Sequence, residues 1–149
     1  MNKAEFVYVV YIASTPERVF DALVNPEFTR EYWAADNVSD WKPGSSWEHK
    51  ATQGGRTMIV GKVVEFDRPR RIVLTWADPT VAANPEAYSR VTLDIEQIND
   101  MVRLSVTHDR LDEGSGMHKG IAEGWPRVLS SLKSMLETGK PLPTWAGKK

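Results

Sequence analysis

At 149 residues, with 19 basic and 20 acidic side chains and a net charge of −1, the chain has the size of one soluble domain and carries no bulk field that favours nucleic acid or an anionic membrane. It contains no cysteine, which excludes disulfides and thiolate metal sites. A chain of this length buries roughly 70% of the surface its unfolded form exposes, enough for a core without staples.

Met1-Asn2-Lys3-Ala4-Glu5 carries an acid and leads into only seven apolar residues, Phe6 to Ile12. That run reads as a strand and is too short for a secretory signal. No stretch approaches the ~20 apolar residues of a membrane helix, so a cytoplasmic protein with no membrane contact is expected. A capped helix follows. Thr15 or Ser14 accepts from the orphan amides, Pro16 suits the first turn, Glu17 favours the positive end of the dipole, and Val19, Phe20 and Leu23 share one face. Asn25-Pro26 ends it, because the residue before a proline avoids helical geometry, and opens a second short helix from Phe28 to Trp33.

Strands separated by turn chemistry come next. Pro43-Gly44 suits a type II turn, and Gly54-Gly55 is a hairpin loop between Ser46 to Thr52 and Thr57 to Phe66. Asp67-Arg68-Pro69-Arg70 turns the chain into Arg71 to Trp76, and Asn99-Asp100 separates Tyr88 to Ile98 from Met101 to Leu111. In the last pair Val91, Leu93 and Ile95 alternate with Thr92, Asp94 and Glu96, and Val102, Leu104 and Val106 alternate with Arg103, Ser105 and Thr107. One sheet face is therefore wet and the other needs a cover. Ile121, Trp125, Val128, Leu129, Leu132, Met135 and Leu136 supply it at helical spacing. Pro126 implies either a kink between Ala122 and Pro126 or a helix that begins near Gly124; Gly139 closes it, and 139–149 form a tail.

Several of these stretches resemble a known family. They are the strand that runs into Ala13-Ser14-Thr15-Pro16-Glu17-Arg18-Val19-Phe20-Asp21-Ala22-Leu23, Gly61 with Val63, the turn and strand from Pro69 to Trp76, Thr107-His108, and the ending from Gly124-Trp125-Pro126-Arg127 to Pro143. Together they look like the bacterial branch related to the C-terminal domain of the activator of the ninety-kilodalton heat-shock chaperone ATPase, within the START-like, birch-pollen-allergen-like (SRPBCC) helix-grip superfamily. The resemblance implies an α+β helix-grip fold: a curved antiparallel sheet of six or seven strands around the long C-terminal helix, two short helices after strand 1, and an internal cavity. The chain shows no counterpart of the additional N-terminal domain of the eukaryotic co-chaperone, so the resemblance does not by itself carry a chaperone partner.

Candidate site residues follow from which faces converge. Of six tryptophans, Trp33, Trp76 and Trp125 stand where short helices, sheet and long helix must meet, while Trp41 beside a turn and Trp145 in the tail read as structural. Trp47, Leu93, Leu104, Val106 and Leu129 complete the expected ligand-binding wall, with each tryptophan open to a plain packing role as well. Parity turns His108 inward beside Leu104 and Val106. It is a hydrogen-bonding or acid-base candidate, or else a histidine satisfied by a backbone carbonyl or a tyrosine or placed at the sheet rim. His49 shares a face with Trp47, and His118 falls on the loop before the last helix.

No nucleophile elbow, phosphate loop, dinucleotide fingerprint or metal-spaced histidine pair occurs, so no cofactor and no metal are expected. Asp109, Asp112 and Glu113 cluster where a solvated turn explains them. The favoured reading is a module that binds a small apolar or aromatic ligand. The alternatives are an enzyme of the superfamily's cyclase or dehydratase kind acting through His108, and a protein-interaction module. Sheet edges and the loop from Asp78 to Glu86 leave room for a homodimer.

Overall fold

The computed structural model describes residues 2–143; Met1 and the end of the tail, 144–149 with Trp145, lie outside the described residues. In chain order the elements are β1 (Lys3–Ile12), α1 (Pro16–Val24), α2 (Pro26–Tyr32), β2 (Ala35–Ser39), β3 (Ser46–Ala51), β4 (Thr57–Asp67), β5 (Arg71–Trp76), β6 (Ser89–Ile98), β7 (Met101–Asp112) and α3 (Gly116–Thr138). Two single 3₁₀ turns, Pro79–Val81 and Pro85–Ala87, lie between β5 and β6. The strands form one curved antiparallel sheet in the order β1-β7-β6-β5-β4-β3-β2, with α3 on its inner face. Among the described residues no helix is long and apolar enough to cross a membrane.

Local chemistry sets the elements. The Thr15 hydroxyl caps α1 by accepting from the Arg18 amide at 3.2 Å, and Asn25 Oδ1 caps α2 by accepting from Glu27 at 2.9 Å. The Pro43-Gly44 turn is closed by the Ser45 amide donating to the Lys42 carbonyl, with Gly44 at φ +91°. Buried Tyr32 donates to the Ala22 carbonyl at 2.6 Å and so locks α2 against α1. On β6 and β7 the inward Val91, Leu93, Ile95, Val102, Leu104 and Val106 are buried against Leu129 and Leu132 of α3.

The structure departs from the sequence expectations at β2 and at His118, and decides between two readings of the last helix. The short strand β2 was not expected: Ala35-Asp36-Asn37-Val38-Ser39 buries Ala35 and Asn37 and exposes Val38, so no apolar alternation marks it. Of the two readings of Pro126 the structure has the one in which the helix runs through it: α3 begins at Gly116, not near Gly124. Ser115 caps it, which puts His118 in its first turn instead of on a loop, with His118 Nδ1 accepting from the Gly114 amide at 3.0 Å. Gly139, at φ +85°, closes the helix as expected. Beyond it the chain folds back, with Leu142 and the Ser131 hydroxyl joined in both directions at 3.1 and 3.2 Å.

Gly61 is the tightest backbone position. A Cβ there would lie 1.9 Å from the Thr75 carbonyl oxygen and 2.6 Å from Trp47 Nε1, two atoms that are themselves bonded at 2.8 Å. Gly61→Ala is expected to lower the unfolding free energy in urea by about 3 kcal/mol or more, since the methyl separates β4 from β5 and breaks the indole hydrogen bond. A loss of under about 1 kcal/mol would mean that the strands give way without cost.

Candidate functional site

Four elements deliver aromatic side chains to one end of the grip. Trp33 closes α2, its amide donating to Thr29 at 2.9 Å; Trp76 ends β5; Trp125 projects from α3; His49 lies on the inner face of β3. Ring centroids are 5.5 Å apart for Trp33 and Trp125, 5.7 Å for Trp76 and Trp125, and 4.8 Å for Trp33 and His49. These spacings are those of tilted aromatic contacts. Between them and the N-terminal half of α3 opens a cleft of about 390 Å³, walled also by Met58, Ile59, Met117, Ile121, Val128, Asp78 and the glycines Gly116, Gly120 and Gly124.

The expected internal cavity is otherwise filled. Deep between sheet and helix the remaining void measures about 10 Å³, bordered by Leu23, Trp33, Asn37, Leu74, Trp76, Leu93 and Trp125 among others. That is room for at most about one water. Of the expected ligand-binding residues, Trp33, Trp76 and Trp125 line the cleft, and Leu93 touches only the small void. Leu104, Val106 and Leu129 are wholly buried in packed core and border neither space, because α3 presses directly on β7 there. Trp47 lies behind the cleft, its ring 5.5 Å from Trp76 and its indole held on the Thr75 carbonyl.

His108 is placed inward but is not free. Trp125 Nε1–H donates to its Nδ1 at 3.1 Å, so the ring proton sits on Nε2, which donates to the Ser89 hydroxyl at 2.8 Å. Ser89 in turn donates to the Trp76 carbonyl at 3.1 Å. With no accessible surface and both nitrogens engaged, His108 lies in the packed interior beneath the cleft and not on its wall. Its partners are a serine and a tryptophan, not the carbonyl or tyrosine weighed from the sequence.

The α3 glycines, Met117, Met58 and Asp78 were not anticipated. Their signal was a spacing of four through Met117, Ile121 and Trp125, hidden because Gly116, Gly120 and Gly124 read as helix breakers. A separate concavity of about 590 Å³ on the outer sheet face is lined by Arg70, Arg71, Arg103, Asp67, Asp94 and Glu96. Its charges pair with one another, Arg71 with Asp94 at 2.7 Å and Arg70 with Asp67 at 2.6 Å, as a solvated face does. Among the described residues no cluster of side chains fit to hold a metal occurs.

The family model for Activator of Hsp90 ATPase homolog 1-like protein matches residues 13–137. Among solved structures, the chain is similar to the Aha1 dimer from Colwellia psychrerythraea in solution, at 21% identity over 92% of this chain and 98% of that one, with a TM-score of 0.76. It is similar also to an HSP90 activator from Plasmodium falciparum, at 22% identity over 89% and 95% with a TM-score of 0.72. A protein from Cytophaga hutchinsonii has 27% identity over 89% and 93%, with a TM-score of 0.71. No curated protein is a detectable sequence relative.

Both inner histidines are held neutral. Burial pushes His49 and His108 down to about 4 from the ordinary 6.5, against weaker opposing pulls from Asp36 and Asp109 respectively. Because the folded values lie below the unfolded one, the unfolded chain binds more protons between them. The stabilisation is therefore complete above about pH 6.5 and is lost as pH falls toward 4. Urea unfolding is expected to show a drop of roughly 2 kcal/mol per histidine between about pH 6.5 and 5, before most carboxylates titrate. Equal stability at both pH values would show that burial does not hold these rings neutral.

Proposed function

Because the chain belongs to the Activator of Hsp90 ATPase homolog 1-like family, we propose that it serves in the cytoplasm as a binding domain for a small apolar or aromatic molecule, held in the cleft between Trp33, Trp76, Trp125 and the first half of α3. The observation that carries this reading is the glycine row on α3. Gly120 and Gly124 are helix-interior residues, each costing about 0.5–1 kcal/mol relative to alanine, yet a Cβ at either would meet no atom within 4 Å. Close packing does not require them. They border the cleft together with three indole rings, and their effect is to widen it. The cleft's size falls in the range of small-molecule sites, and its walls are mostly apolar with few polar groups. A cyclase- or dehydratase-like reaction through His108 would need a free ring nitrogen that its two hydrogen bonds do not leave.

A protein-contact reading has its own observation. β1 is an edge strand, and on its outer face Val7, Val9 and Tyr11 stand 54%, 43% and 44% exposed. An apolar stripe on a sheet edge invites pairing with a second copy or with a partner chain such as a chaperone. Both roles fit one molecule, since the stripe and the cleft lie on opposite faces of the sheet.

For the cleft, N-phenyl-1-naphthylamine serves as probe. Gly120→Ala with Gly124→Ala is expected to raise the unfolding free energy by about 1–2 kcal/mol in total while reducing the thermal stabilisation that the probe gives. A native protein that gains nothing from the probe, or a double variant that gains as much as the native chain, would remove the cleft as a ligand site. For the edge, sedimentation equilibrium is expected to show self-association that Val9→Lys weakens at least about tenfold. A chain that is monomeric at all concentrations would leave the stripe to a different partner or to none.

A further inference from the structure

The cleft holds one buried polar atom with an unanswered valence. His49 is only 5% exposed, and its Nδ1 lies 2.7 Å from Asn37 Oδ1. The Asn37 amide nitrogen donates to the Leu23 carbonyl at 2.9 Å, which fixes its oxygen toward the imidazole as an acceptor. The ring proton therefore sits on Nδ1, and Nε2 carries a lone pair. Among the described residues nothing donates to Nε2, and it is not one of the sealed, unpartnered atoms of the interior. His49 is one of the residues that line the cleft, so the cleft is the opening from which this nitrogen is approached.

The other polar groups of the wall sharpen the point. The indole N–H groups of Trp76 and Trp125 are engaged, on the Met117 sulfur at 3.3 Å and on His108 at 3.1 Å. The Asp78 carboxylate at the rim accepts from the Thr80 amide and hydroxyl, and the wall contains no lysine or arginine. Among the described residues the Trp33 indole is the one side-chain donor there without a partner. Two acceptors and no cation make the cleft a poor host for an anion and a good one for a group that donates a hydrogen bond.

Building on the cleft as a ligand site, we infer that His49 selects the ligand: its Nε2 accepts a hydrogen bond from a hydroxyl or N–H group on an otherwise apolar, ring-bearing molecule stacked against the tryptophans. Burial keeps the imidazole neutral, with its pKa near 4, so the lone pair is free throughout the neutral range. The same depressed basicity suits an acceptor and not a general base, which works best when its pKa lies near the operating pH. Asn37, fixed through Leu23 at the end of α1, is the positioning residue that sets the tautomer. A ligand without a donor leaves a buried nitrogen unpaired and shut off from water, and that is the basis of discrimination.

The test compares 2-naphthol with 2-methoxynaphthalene, which keeps the ring system and lacks the donor, by quenching of the cleft tryptophans in the full chain. The native protein is expected to bind the naphthol about tenfold more tightly. In His49→Phe the ratio collapses toward one. Because that variant also leaves Asn37 Oδ1 without its donor, a second measurement uses the native chain: with ¹⁵N-labelled histidine, the His49 Nε2 resonance moves when 2-naphthol is added and stays when 2-methoxynaphthalene is. Equal affinities with an unmoved Nε2 signal overturn the role of His49 while leaving the cleft as an apolar site. Failure of both probes to bind overturns the cleft reading and this inference together.

Discussion

One chain of hydrogen bonds fixes the working end of this fold. From the Trp125 indole it passes through both nitrogens of His108 and the Ser89 hydroxyl to the Trp76 carbonyl, joining α3 to β7, β6 and β5 inside an apolar interior. Every donor in it has an acceptor. In surroundings without water such a chain is directional where packing is not, since breaking any link strands a buried polar group at about 1–3 kcal/mol. It sets how far α3 stands from the sheet and how it is rotated. The two rings at its ends, Trp76 and Trp125, are the inner walls of the cleft, so the shape of the opening depends on a contact that lies beneath it.

Above that pin the molecule divides its interior by residue size. Toward the C-terminal half of α3, Leu129, Leu132 and Leu136 are buried in one cluster with Leu104, Val106 and their neighbours. Toward the N-terminal half, glycines replace side chains every fourth residue, and Met58 and Met117, unbranched and polarizable, stand at the border. A closed core and an open cleft thus share one helix. The structure concentrates its bulky rings where the space is: Trp76 and Trp125 are buried in the core beneath the cleft, Trp33 packs against it, and all three border the opening. The family's fold is compatible with this division, and the fold alone does not determine it.

The two inner histidines show the difference between a face and a partner. Both sit at inward positions of their strands, and strand parity gives the same reading for each. Only the elements that cross over them differ. α3 lays Trp125 on His108 and closes it, whereas β2 brings Asn37 to one nitrogen of His49 and leaves the other uncovered. β2 itself escaped the sequence because its inward residues are an alanine and an asparagine, with its one valine outside. The strand that pattern reading could not find is the one that orients the polar group of the cleft.

From the sequence alone came the strands with clear alternation, the turns set by proline, glycine and asparagine, the capped first helix, and the convergence of Trp33, Trp76 and Trp125. These are local matters: backbone preferences and side-chain periods are settled within a few residues of chain. What tertiary structure decided was which space stayed open, how far toward its N-terminus α3 extends, and which histidine keeps a free nitrogen. Those outcomes depend on contacts between residues far apart in sequence, such as Trp125 with His108 and Asn37 with His49, and a hydrogen bond of that kind leaves no period for a linear pattern to carry.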